Sequence, residues 1–208
     1  SGEIMFTEIM YASQGGADPG EWIEIHNRTN EVLDLTDMTF GDDDGNEYEV
    51  SEFTLIGPGE YILIANTDGL NGLEIWTSHV ADLGLSNGGD TLEITSNTGL
   101  LIFSQTYETT APWPSRQDGY SIQFSHGSAY NLSNAGSWCS ASDGQYIADN
   151  QSGISQYGTP GYLNGLCAER IFLDFDGQND YVDIPTMVAP AGNAPRTVMA
   201  WIKLDETD

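Results

Sequence analysis

Positive charge is nearly missing from this chain. Its 208 residues carry 5 Lys and Arg against 32 Asp and Glu, a formal net charge of -27, and Lys203 is the one lysine. Binding a polyphosphate depends on Lys and Arg displacing condensed counterions. Nucleic acid and anionic membrane are therefore poor partners. Long apolar runs are missing too, none approaching the roughly 20 residues a membrane-spanning helix needs. Ser1-Gly2-Glu3 has no signal-peptide character, so a mature end or a cloning remnant is expected there, and neither excludes secretion. No stretch shows helical spacing with caps at both ends.

Signatures of catalysis are lacking as well. There is no Gly-x-Ser-x-Gly elbow, phosphate loop or dinucleotide fingerprint. His26, His79 and His126 stand apart, so they read as surface or edge residues rather than metal ligands. With 32 carboxylates present, some two of them can always meet as an acid–base pair, which carries no information. Cysteine is scarce: Cys139 and Cys167 are 28 residues apart, a spacing that matches no zinc pattern. Two buried thiols or one disulfide remain, and the secreted-looking composition favours the disulfide. By loop entropy such a bridge stabilises a fold by about 3.5 kcal/mol.

What the chain does have is alternation. Aromatics make up 11% of it and 24 glycines punctuate it, the pattern of an all-β domain with many short strands. Glu21-Trp-Ile-Glu-Ile-His-Asn27 and Leu33-Asp-Leu-Thr-Asp-Met-Thr-Phe40 each alternate apolar with polar residues across a short polar break. They are expected to pair as antiparallel strands with one buried face. Residues 4–11 form a first strand, and Tyr61-Ile-Leu-Ile-Ala65 reads as a strand buried on both faces. Thr91-Leu-Glu-Ile-Thr95 and Leu100-Leu-Ile-Phe103 form a hairpin with Asn97-Thr-Gly99 at its tip. Pro112-Trp-Pro114 cannot lie in a central strand. Residues 119–124 form a last strand, and residues 137–166 are mostly irregular. The sum is a sandwich of roughly seven to nine strands, with Ile23, Ile25, Leu63 and Ile94 in its interior.

The order of these segments resembles the lamin tail domain, in the form found on bacterial extracellular proteins. The matching pieces are Thr7-Glu-Ile-Met10, the segment 21–27, Leu33-Asp-Leu-Thr36, Pro58-Gly-Glu-Tyr-Ile-Leu-Ile-Ala65 and Leu85-Ser-Asn-Gly-Gly-Asp-Thr-Leu92. They continue with Pro112-Trp-Pro-Ser115, Asp118-Gly-Tyr-Ser121, Trp138, and Gly158-Thr-Pro-Gly161 with Asn164, over about 160 residues. The resemblance implies an immunoglobulin-like β-sandwich over residues 1–167, on a secreted or cell-surface protein and without catalysis of its own. Residues 168–208 differ. Ile171-Phe-Leu-Asp-Phe-Asp-Gly-Gln-Asn-Asp-Tyr-Val-Asp-Ile-Pro185 and Thr197-Val-Met-Ala-Trp-Ile-Lys-Leu204 are similar to the first strands of a laminin-G-like, concanavalin-type jelly roll. An incomplete domain leaves strand edges unpaired, so residues 171–204 are expected to pack on the first domain or pair with another copy, covering some of Phe172, Phe175, Tyr181 and Trp201.

Acidic loops are the candidate binding sites. Asp42, Asp43, Asp44 and Glu47 surround a glycine bend in the manner of a calcium loop, without the full EF-hand spacing. Asp174, Asp176 and Asp180 look similar, and Asp18, Glu21 and Glu24 join Glu8 if the first two strands pair. Each cluster also reads as a solvated acidic turn. Calcium, where bound, would stiffen the sandwich rather than do chemistry. Trp22, Trp76, Trp113 and Trp138 suit either a sugar platform or core packing, with packing expected for at least three. Asn27-Arg-Thr29, Asn131-Leu-Ser133 and Asn150-Gln-Ser152 fit the glycosylation pattern. The expected function is an extracellular structural or adhesion module, beside neighbouring domains and in contact with carbohydrate or a surface protein. The rival readings are an accessory domain of a secreted hydrolase or nuclease and a carbohydrate-binding module.

Overall fold

Alternation of large apolar residues gives this chain its strands, and turn residues with special backbone angles divide them. A computed structural model describes residues 3–14, 20–66, 79–80, 84–125, 135–142, 146–149, 155–165 and 167. The strands, in chain order, begin with β1 (Ile4–Met10), β2 (Trp22–Asn27), β3 (Leu33–Asp34), β4 (Thr39–Asp42), β5 (Glu47–Glu49), β6 (Leu55–Ile56) and β7 (Tyr61–Ala65). There follow β8 (His79–Val80), β9 (Gly89–Thr95), β10 (Leu101–Glu108), β11 (Ile122–Phe124), β12 (Trp138–Ser140), β13 (Tyr146–Asp149) and β14 (Ser155–Tyr157). A six-stranded sheet runs β12-β11-β1-β2-β7-β8, and a four-stranded sheet runs β10-β9-β4-β5. Two small sheets, β13-β14 and β3-β6, complete the topology. Among the described residues the strand pairings are antiparallel except β7 with β8, and an isolated parallel bridge joins Tyr120 to Tyr157 of β14.

Between the two large sheets lies one core. Phe6, Ile9, Ile23, Ile25, Ile62 and Ile64 from the first meet Phe40, Leu92, Ile94 and Tyr107 from the second. Tyr11 stacks on Tyr107 at 4.9 Å and Phe6 lies against Phe103 at 5.8 Å. Ile23, Ile25 and Ile94 are buried in this core, as expected, whereas Leu63 is buried on the outer face of the six-stranded sheet, opposite Glu24. The fold is therefore an immunoglobulin-like β-sandwich. The β9–β10 hairpin and its tip also form as expected, with Gly99 at φ 78°. At the base of that hairpin Gly89 has φ 113°, and a Cβ there would sit 2.9 Å from the Tyr107 carbonyl oxygen.

The first expected pairing is not the one the chain makes. Segment 21–27 does not pair with segment 33–40: β2 lies between β1 and β7, while β3 pairs with β6 and β4 crosses to the other sheet. Local hydrogen bonds explain the crossing. Asp34 Oδ1 accepts from the Thr36 N–H and hydroxyl, and Asp37 adopts φ 61°, which ends the extended run between β3 and β4. Nor is β2 buried on one face alone. Trp22 and Glu24, which point away from the core, are as inaccessible as Ile23 and Ile25. Segment 119–124 is not the last strand, because β12, β13 and β14 follow it within the stretch expected to be mostly irregular.

The chain divides into two units, Ser1–Ala168 and Glu169–Asp208. The second lies outside the described residues. So do Asp174, Asp176 and Asp180, the aromatic residues Phe172, Phe175, Tyr181 and Trp201, and the pairing expected of residues 171–204.

Candidate functional site

A bulge decides what happens on the outer face of the six-stranded sheet. The β1–β2 register slips between Phe6 and Glu8, and the extra residue lets Thr7 and Glu8 both serve the side on which Glu24 stands. Glu8 and Glu24 are direct cross-strand partners, and both are fully buried. What covers them is the strap formed by residues 158–165. Glu8 Oε1 accepts from Ser121 Oγ, from Gln123 Nε2 at 2.9 Å and from the Thr159 N–H at 2.8 Å; its Oε2 accepts from Thr159 Oγ1 at 3.1 Å. Glu24 Oε1 accepts from Thr7 Oγ1 and its Oε2 from the Gly161 N–H, each at 2.6 Å. Asn164 Nδ2 donates to the Thr7 and Phe124 carbonyls, fixing the far end of the strap.

Beyond the strap, Cys167 is joined to Cys139 of β12 by a disulfide, and its N–H donates to Ser125 Oγ. The strap is thus held at one end by carboxylates and at the other by a covalent bond. Two adjacent buried carboxyls cannot both ionise cheaply. Burial raises Glu8 above the ordinary carboxyl range, although the donors around it pull the other way. Burial and then the Glu8 charge push Glu24 well above that range. With fewer donors, Glu24 is the more strongly shifted of the two. All four oxygens face protein donors, so this cluster is a clasp, and the sequence motifs around residues 7–8, 121 and 158–161 come together in it.

The acidic turn is placed at another corner. Asp42 is buried; its Oδ1 accepts from the Asp44 and Asn46 N–H groups and its Oδ2 from Asn46 Nδ2, so it closes the turn. Glu47 is exposed at the start of β5. Asp43 and Asp44 are exposed and meet Asp90, with one oxygen of each within 4.8 Å of the others. Asp90 is buried and accepts from the Ser86 and Thr91 N–H groups. Burial raises its pKa, and Asp42 and Asp43 add to the shift. Sequence reasoning missed Asp90 here because it lies in another strand; its place in the Gly-Gly-Asp turn before β9 was the available signal.

The remaining candidates serve packing. Trp22 and Trp138 are buried, Trp113 is half-buried with its ring 5.8 Å from Trp138, and Trp76 lies outside the described residues. Asn27 is fully buried: its Nδ2 donates to the Glu31, Ile56 and Gly57 carbonyls, and its Oδ1 accepts from Thr29. It is therefore no glycan acceptor in the folded domain, and it ties the end of β2 to the β3–β6 pair. Asn131, Asn150, Asp18 and His126 lie outside the described residues, and His26 stacks on Tyr61 at 4.3 Å. Among the described residues no helix is long and apolar enough to cross a membrane.

Comparison with models of known protein families finds a match. The family model for the lamin tail domain aligns with residues 1–109, the span from the first strand through β10. Among curated proteins none matches the chain. Residues beyond the match complete the six-stranded sheet by adding β11 and β12 beside β1 and closing the clasp over it. With more than half its length matched and the expected sandwich in place, the chain belongs to the lamin tail domain family.

Proposed function

We propose that this chain is a non-catalytic structural or adhesion module of a larger secreted or cell-surface protein, with a laminin-G-like domain beginning at residue 168. The observation that supports it most is where its reactive side chains have gone. The buried carboxyls of Glu8 and Glu24 hold a strap, and the two cysteines are joined at the end of that strap. Disulfides persist in oxidising compartments, which favours an extracellular setting. The anionic surface disfavours nucleic acid as a partner. Limited proteolysis of intact cells that make the parent protein tests display: release of peptides from residues 1–168 is expected, and their confinement to lysates would overturn the reading. Turnover of any substrate by the isolated chain would do the same.

Calcium belongs to this proposal. Asp43, Asp44 and Asp90 offer convergent oxygens in a shallow cleft also lined by Thr106 and Glu108, and a divalent ion there would relieve their mutual repulsion. Melting with chelator and with added calcium is the measure. A higher transition temperature with calcium, lost in the Asp43→Asn/Asp44→Asn variant, is expected; equal transitions would remove the ion from the reading. The same comparison with Asp174, Asp176 and Asp180 changed to Asn tests the second acidic stretch.

A further inference from the structure

The four-stranded sheet ends in an unusually open edge. Of the strands at the ends of the two large sheets, β5 and β12 have 3 residues and β8 has 2, whereas β10 has 8. Long edges are normally blunted by Lys, Pro or short length, because their unpaired N–H and C=O groups invite another strand. Leu101–Glu108 contains neither Lys nor Pro, and its one irregularity is the slip between Leu101 and Phe103 at its start. Ser104, Thr106 and Glu108 are exposed.

Hydrogen-bond parity shows which groups are free. The Thr91 carbonyl accepts from the Asp43 N–H, so Thr91 directs its backbone groups toward β4. Its partner across β9–β10 is Thr106, and the two hydroxyls meet at 3.1 Å, as in a pair that exchanges no ladder bonds. Thr106 therefore points its own N–H and C=O away from β9, and Ser104, two residues earlier in unbroken register, does likewise. The Thr106 carbonyl accepts from Gln105 Nε2. Among the described residues no strand pairs with this edge, which leaves two N–H groups and the Ser104 carbonyl available.

We propose that the edge of β10 takes up an extended segment of a partner protein in which basic residues alternate with apolar ones. The alternation follows from the two faces a new strand would border. On the inner face it would lie beside half-buried Phe103, followed along β10 by buried Gln105 and Tyr107. On the outer face it would lie beside Ser104, Thr106 and Glu108, with Glu93 opposite Ser104. Net charge selects the sign: a chain at -27 attracts Lys and Arg and repels an acidic strand, including a second copy of itself. Backbone pairing supplies affinity and the alternate side chains supply selectivity. This inference is independent of where the module is displayed and of whether it holds calcium.

Ser104→Pro is the decisive variant, since it deletes an outward N–H on an edge strand where proline is tolerated and leaves the β9 ladder intact. The probe is a short labelled peptide of alternating Lys and Val, titrated by fluorescence anisotropy at physiological salt. Binding to the wild type is expected to weaken about fivefold in Ser104→Pro, as for the loss of one hydrogen bond. A peptide of the same sequence, N-methylated on the residues that face β10, tests the idea without altering the protein, and it should bind as weakly. Equal affinity of the methylated and plain peptides would show diffuse charge attraction and overturn the proposal. Binding of a Glu–Val peptide as tightly as the Lys–Val one would overturn the charge assignment. A dimer in sedimentation velocity that Ser104→Pro abolishes would make the occupant a second copy instead.

Discussion

Replacing Glu8 and Glu24 one at a time with Gln should give very unequal results, although the two carboxyls are neighbours on paired strands. Glu8 receives three donors, Ser121 Oγ, Gln123 Nε2 and the Thr159 N–H, and shares the proton of the Thr159 hydroxyl with Asn164 Oδ1. Gln at this position turns one acceptor oxygen into an NH2 that faces donors. Hydrogen bonds to a charged group contribute roughly 1.5–3 kcal/mol each, so losing one or two costs about 3 kcal/mol. Glu24 receives two donors, and burial and then the Glu8 charge push its pKa well above the ordinary carboxyl range. A neutral amide replaces it closely, and the Thr7 hydroxyl can turn to accept, so Glu24→Gln should cost within about 1 kcal/mol. Urea melts at neutral pH measure both.

The pH profile provides the second arm of that experiment. Both folded-state pKa values lie above the ordinary 4.5, so the folded chain binds more protons than the unfolded one above that value. Their contribution is fully present below about pH 4.5 and is lost as pH rises through the raised values. Self-repulsion of the anionic surface acts in the same direction. The clasp is therefore read as the difference between wild type and Glu24→Gln, with the variant losing less stability as pH rises. Equal costs for the two Gln variants, together with identical pH slopes for wild type and Glu24→Gln, would refute the division of roles.

Reducing the Cys139–Cys167 disulfide should lower stability by about 3.5 kcal/mol, or roughly 7–14 °C in thermal midpoint for a domain of this size; calorimetry with and without reductant reports it. Gly89→Ala should cost on the order of 1–3 kcal/mol, since φ is 113° and the added Cβ would meet the Tyr107 carbonyl. Its effect appears in denaturant midpoints, while Gly99→Asn at the open hairpin tip should cost far less. Ile25→Ala and Ile94→Ala should each lose about 2–5 kcal/mol in urea melts, against less than about 0.5 kcal/mol for exposed Leu100→Ala.

Much of the sandwich was legible without coordinates. Period-two alternation marked Ile23 and Ile25, the unbroken apolar run marked β7, and Asn97-Thr-Gly99 marked a hairpin, because each of these signals is local. A pleat tells which side chains share a face, but it does not say which strand lies alongside. That is why segments 21–27 and 33–40 were expected to pair, although packing sends the second to the opposite sheet. The same reason hid the clasp: Thr159 and Glu8 are 151 residues apart, and a glutamate in an alternating strand looks solvated until something folds over it. Asp90 joined Asp43 and Asp44 in the same way, through the β4–β9 pairing. The sequence by itself determined the faces, the turns and the anionic surface, through the chemistry of adjacent residues. Tertiary structure alone decided strand neighbours, the burial of Trp22 and Glu24, and the joining of the cysteines, because those depend on contacts that exist only once distant segments have packed.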